Sequence, residues 1–112
     1  MKLFVYVLNQ GEKIDEILSG FIEIGMTGAT IIDSVGMGRI LAKDVPVFAG
    51  FRSLLSGRSC NKTIISVVDD DKKVESAIEL IEELCGAFGE PGAGIAFTLA
   101  LDQVFGLKPE ID

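Results

Sequence analysis

Apolar positions along this chain follow two periods, one that fits strands and one that fits helices. Lys2–Leu8 (KLFVYVL) is apolar at every position after the first and carries β-branched and aromatic residues. A run this short with apolar residues on both faces predicts a buried central strand, and Gly11 breaks it. Over Glu12–Ile24, Ile14, Ile17, Leu18, Phe21 and Ile22 recur at i, i+3, i+4, i+7 and i+8, the stripe of an amphipathic helix. Glu12, Asp15 and Glu16 fall in its first turns, where the helix dipole favours acids. Gly25 is placed as its C-terminal stop. Ala29–Val35 (ATIIDSV) predicts a second strand, more exposed for its Asp33 and Ser34 and so at a sheet edge, ended by Gly36-Met37-Gly38.

Arg39–Asn61 is irregular, with Pro46, Gly50 and Gly57. Phe48, Phe51, Leu54 and Leu55 recur there at nearly helical spacing, which predicts a short helix or turn. That stripe either covers the sheet edge, packs on a neighbouring subunit, or docks a partner; Phe48, Phe51, Arg52, Leu54 and Arg58 are the candidate partner-binding residues. Lys62–Asp69 (KTIISVVD) predicts a third strand, again apolar on both faces. Asp69-Asp70-Asp71 reads as a helix N-cap with favourable first-turn charge, because three consecutive acids do not converge on one metal ion. Lys72–Cys85 predicts a second helix with Val74, Ala77, Ile78, Ile81 and Cys85 on its apolar stripe. Ala87–Gly94 is a glycine-rich loop, Ile95–Leu101 (IAFTLAL) a fourth strand, and a tail follows.

The order β-α-β, long loop, β-α-β reads as one domain over residues 1–112 with a weak internal repeat, since each doubly apolar strand leads to an amphipathic helix ending in Gly. Two such units predict a ferredoxin-like α+β sandwich with the first and third strands central. Helices on one face leave the other bare, yet the central strands do not alternate with polar residues as a solvated face would. The expectation is self-association through the sheets, in a closed ring.

Charge and residue types narrow the function. The net charge of −7 argues against a nucleic-acid binder. Five of the ten basic residues, Arg39, Lys43, Arg52, Arg58 and Lys62, nevertheless fall between residues 36 and 62 against the single acid Asp44. With no histidine a Ser-His-Asp triad is excluded and a zinc site is unsupported. Cys60 and Cys85, lacking a paired spacing, read as core residues in a reducing compartment. The longest apolar run is too short to span a membrane and no cleavage site follows it, so the expected location is the cytoplasm. No nucleophile–base pair stands out, and the single acids Asp33 and Glu90 read as structural, so the chain is expected not to be an enzyme. Two glycine turns remain, Gly36-Met37-Gly38-Arg39 and Gly86 to Gly94, whose backbone N–H groups could approach an anion. Neither is a Walker A loop or a dinucleotide fingerprint.

The whole chain resembles the P-II nitrogen-regulatory family, as a divergent member. The resemblance is carried by KLFVYVL…EIGMTGATIIDSVGMGR, by TIISVVDDDKKVESAIELIEELCG, and by GEPGAGIAF, which is similar to the family's Gly-Asp-Gly-Lys-Ile-Phe loop. It implies a homotrimer with the sheets lining its centre. It also implies ATP or ADP bound in clefts between subunits, and nitrogen signalling through a long loop that docks on an unidentified target protein, a membrane protein among the possibilities. Carried over, Gly36, Gly38 and Arg39 would lie at the base of that loop, near the ligand. Gly86, Gly89 and Gly92 would face the phosphates. The chain departs from the family in having Ala87 or nearby apolar residues where that loop carries Lys, and Leu101-Asp102-Gln103-Val104 where the tail carries Arg-Ile-Arg. Arg52, Arg58 and Lys62 are the cations available in their place. Two other readings use the same scaffold: a metal-binding trimer similar to CutA, and a small enzyme.

Overall fold

A computed structural model of the chain describes residues 1–37 and 61–107. In chain order its elements are strand β1 (Lys2–Leu8), a 3-10 turn (Gly11–Lys13), helix α1 (Ile14–Glu23), strands β2 (Thr30–Ser34) and β3 (Asn61–Val68), helix α2 (Asp71–Cys85), and strand β4 (Ile95–Ala100). The described strands form one antiparallel sheet in the order β2-β3-β1-β4. This is the ferredoxin-like α+β arrangement, with the doubly apolar strands central and β2 at an edge, as their patterns predict. The candidate partner-binding residues Phe48, Phe51, Arg52, Leu54 and Arg58, together with Gly38, Arg39 and Cys60, lie outside the described residues.

The pleat assigns alternate side chains of β1 to opposite faces. Phe4, Tyr6 and Leu8 point to the helices and are fully buried with Ile64 and Val68 of β3, Ile17 and Phe21 of α1, and Ala77, Ile81 and Cys85 of α2. Phe4 and Phe21 meet edge to face at 6.1 Å, the geometry the ring quadrupoles favour.

The opposite face has no helix over it among the described residues. Leu3, Val5 and Val7 lie there between Ile65 and Val67 of β3 and Ile95, Phe97 and Leu99 of β4, across the registers Val5↔Ile65 and Val5↔Phe97. Phe97 and Leu99 are each about half exposed (47% and 49%), Ile95 lies open on the same strand, and Ile32 lies open on β2 at the other edge. The sheet therefore offers water a continuous apolar surface.

Helix ends follow the local chemistry. At the end of α1, Met26 N–H donates to Phe21 O (2.8 Å) and Gly25 N–H to Ile22 O (3.1 Å). That paired capping needs a left-handed residue, which Gly25 supplies at φ +92°. Buried Met26 then packs into the core with Phe21. At the start of α2, Asp70 accepts the Lys72 N–H at 2.9 Å, so the acidic triplet is a helix cap. The first helix starts at Ile14, two residues after the predicted Glu12: residues 11–13 form a 3-10 turn, with no side-chain cap on either Gln10 or Lys13.

Candidate functional site

The glycine turns and the candidate basic residue lie at one end of the sheet. β2 leaves the sheet there at Ser34, β3 enters at Asn61 opposite it, and β1 leaves at Leu8 opposite Lys62. β4 enters the same end at Ile95, opposite Val7. Gly36 therefore sits beyond the β2 edge, 3.5 Å from the Asn61 amide nitrogen as measured from where a Cβ would stand. The loop 86–94 sits beyond the β4 edge. Three strand spacings of ~4.8 Å separate the two edges, about 14 Å. Within one chain Gly36 and the loop 86–94 share an end of the sheet and stand about that far apart.

Lys62 is ion-paired with Asp33 across the register at 2.5 Å. The single acid Asp33 thus has a cationic partner, and Lys62, on β3 beside the edge strand, stands at the same end of the sheet as Gly36.

The loop 86–94 is held by contacts from distant positions. Gly86, Gly89, Gly92 and Gly94 all have positive φ. The Tyr6 hydroxyl donates to Ala93 O at 2.9 Å in the core. Burial, with the Cys85 side chain beside it, pushes the Tyr6 hydroxyl pKa well above its ordinary value. The Gln10 side-chain amide donates to Cys85 O (3.1 Å) and Gly92 O (2.9 Å), pinning both ends of the loop to the end of β1. Lys13 donates to Leu84 O, a cation on the last turn of α2. Gly94 is the tightest point: a Cβ there would stand 2.2 Å from Val7 O and 3.0 Å from Tyr6 Cε1.

The opposite end of the sheet carries a feature without a sequence signal. A cavity of about 250 Å³ lies between the turn 25–28 after α1 and the end of β3, lined also by Asp69, Lys73 and Leu107. A second, about 200 Å³, continues onto the open sheet face past Leu3, Thr30 and Ile65, and shares Gly28, Val67 and Leu107 with the first. Asp69 and Lys73 pair across the first cavity's rim at 3.2 Å. The ammonium holds the Asp69 carboxyl below its usual range. β2 spans about 17 Å at ~3.3 Å per residue, so these cavities and Gly36 stand that far apart on one subunit. Each cavity is also below the ~300 Å³ at which small-molecule sites begin.

Among the described residues, no group of three or more Cys, Asp or Glu is placed to hold a metal ion. Nor is any described helix long and apolar enough to cross a membrane.

A four-stranded antiparallel sheet with two helices on one face, an open apolar face and glycine turns at one end defines a ferredoxin-like domain. The model of the family described as "Nitrogen regulatory protein P-II" matches residues 1–110. The chain belongs to the P-II nitrogen regulatory protein family. Among solved structures it is similar to the PII protein of Arabidopsis thaliana in a crystal structure bound to citrate, at 24% identity and a TM-score of 0.57. That match covers 89% of this chain and 76% of the other, and at that identity it carries the fold. No curated protein matches the chain in sequence.

Proposed function

We propose that this chain is a non-enzymatic cytoplasmic regulator that acts as a homotrimer. It binds an adenine nucleotide, ATP or ADP, or a similar small anion between subunits, and controls a target protein of nitrogen metabolism through its residues 39–61. The observation that carries this reading is the open sheet face. Leu3, Val5, Val7, Ile65, Phe97 and Leu99 form an apolar surface that water does not favour, and the cover available in every solution of the protein is another copy of itself.

Assembly also accounts for the divided site. Gly36 and the loop 86–94 stand on opposite edges of the sheet, and the cavities lie at its other end. A ring of subunits brings one subunit's edge against its neighbour's and joins parts that one chain keeps apart. Citrate on the Arabidopsis protein, a small polyanion, supports an anionic ligand.

The test has two parts. Light scattering on the purified protein should give three times the chain mass of 12.0 kDa. A thermal-shift panel of ATP, ADP, AMP and 2-oxoglutarate, with and without magnesium, should show a rise of several degrees with an adenine nucleotide. A ligand at about 100 times its Kd adds ~2.7 kcal/mol. A monomer, or no shift with any anion, would overturn the reading.

A further inference from the structure

The loop 86–94 already holds an anion of the chain's own. Phe88 N–H donates to the Glu82 carboxylate, Oε2, at 3.0 Å. Three further donors of the loop are spent internally. Gly86 N–H donates to Glu82 O, Glu90 N–H to Ala87 O and Ala93 N–H to Glu90 O, at 3.1–3.3 Å, while Pro91 has no N–H to give.

The surroundings have the same sign. The loop follows the C-terminus of α2, where the helix dipole is negative. Residues 86–94 contain no Lys or Arg. Glu90 turns its carboxylate back to within 3.7 Å of the position a Cβ on Gly86 would take. The cation beside the loop, Lys13, donates to Leu84 O at the helix end.

We propose that Glu82 is the specificity-determining residue of this loop. Its carboxylate occupies Phe88 N–H, so a phosphoryl group of a bound ligand competes with it for that donor and binds the more weakly for it. A phosphoryl group reaches the donor only by displacing a carboxylate that is covalently part of the chain and so is never diluted away. The inference rests on the reading of this loop as the ligand-facing one.

The test is calorimetric titration of inorganic pyrophosphate into the full-length protein, Glu82→Gln and Glu82→Ala, at one ionic strength. Glu82→Gln removes the charge and keeps an acceptor for Phe88; Glu82→Ala removes both. Affinity should rise in that order, by about tenfold or more for Glu82→Ala, which is roughly 1.4 kcal/mol. Glu82 is exposed on α2, so the conservative Glu82→Gln keeps the fold and carries the test if Glu82→Ala loosens the helix end. Equal affinities for all three proteins, or no binding by any of them, would overturn the inference. If the unsubstituted protein still shows a nucleotide thermal shift in that case, the proposed function stands without it. A gain on removing Glu82, with no nucleotide shift in the unsubstituted protein, would keep the inference and sink the nucleotide reading.

Discussion

Gly94→Ala is the substitution whose cost the geometry defines best. At φ +87° an L side chain sits in the left-handed region, a penalty of about 1–2 kcal/mol. The new Cβ would also stand 2.2 Å from Val7 O. That oxygen belongs to the backbone of central strand β1, where Val7 faces Ile95 in the β1–β4 register. It cannot swing aside as a side-chain tip would. Moving it disturbs strand pairing, and overpacking of this kind costs about 1–3 kcal/mol. The total is about 2–5 kcal/mol, a large part of the ~5–15 kcal/mol that holds a domain folded. Gly89→Ala is the internal control. Its φ is +98°, but a Cβ there meets nothing within 4 Å, so it should cost only the conformational ~1–2 kcal/mol. Urea denaturation of both variants, at one protein concentration, reads the difference directly. In a thermal scan Gly94→Ala should melt about 8 °C or more lower, at roughly 4–8 °C per kcal/mol. The reasoning is refuted if Gly94→Ala is no less stable than Gly89→Ala.

Tyr6 gives a pH prediction. Its hydroxyl is held neutral by burial, so its folded pKa lies above the unfolded value near 10. The stability this contributes is fully present below pH ~10 and is lost as pH rises from there through the folded value, at up to about 1.4 kcal/mol per pH unit. Tyr6→Phe should be about 1–2 kcal/mol less stable at neutral pH, because Ala93 O loses its donor. It should also lack that alkaline fall; parallel stability curves for the two proteins above pH 10 would contradict the assignment. Asp70→Ala removes the acceptor of Lys72 N–H and should lower stability by about 1 kcal/mol, visible as a lower urea midpoint, while Asp71→Ala should cost less. Phe97→Glu places a charge on the open face, halfway along β4, and should reduce the proposed assembly to the 12.0 kDa chain in light scattering; an unchanged mass would show that this face is not the one covered.

The elements were legible wherever hydrophobic period alone decides. β1 and β3 announce central positions because both of their faces are apolar, and Asp33 with Ser34 announces the β2 edge. Element ends were legible to within about two residues. Residues 12 and 13, predicted to open the first helix, belong to the 3-10 turn, and Ile24 is the helix's cap, not its last residue. The fourth strand ends at Ala100, one residue before its apolar run does. What the sequence could not display are contacts that need the finished fold. Gly94 looks like any loop glycine until Val7 O and Tyr6 are brought beneath it. Gln10, in a plain turn, reaches Cys85 and Gly92, 75 and 82 residues away. The pairing of Asp33 with Lys62 depends on strand register. The cavities arise where the turn 25–28, the end of β3 and Leu107 meet, and none of those segments carries a chemical signature of its own.

The open apolar face has a further consequence during synthesis. A newly folded single chain presents Ile95, Phe97 and Leu99 along β4, which among the described residues is an edge strand with one side of its backbone unpaired. Exposed apolar side chains on an unpaired edge are a template for adding foreign strands. On the proposed assembly the solitary chain is therefore the hazardous species, and the hazard falls as copies find one another. Slow production, which leaves each copy waiting longer for its partners, should stress a cell's chaperones more per molecule than production fast enough to keep newly made copies close together.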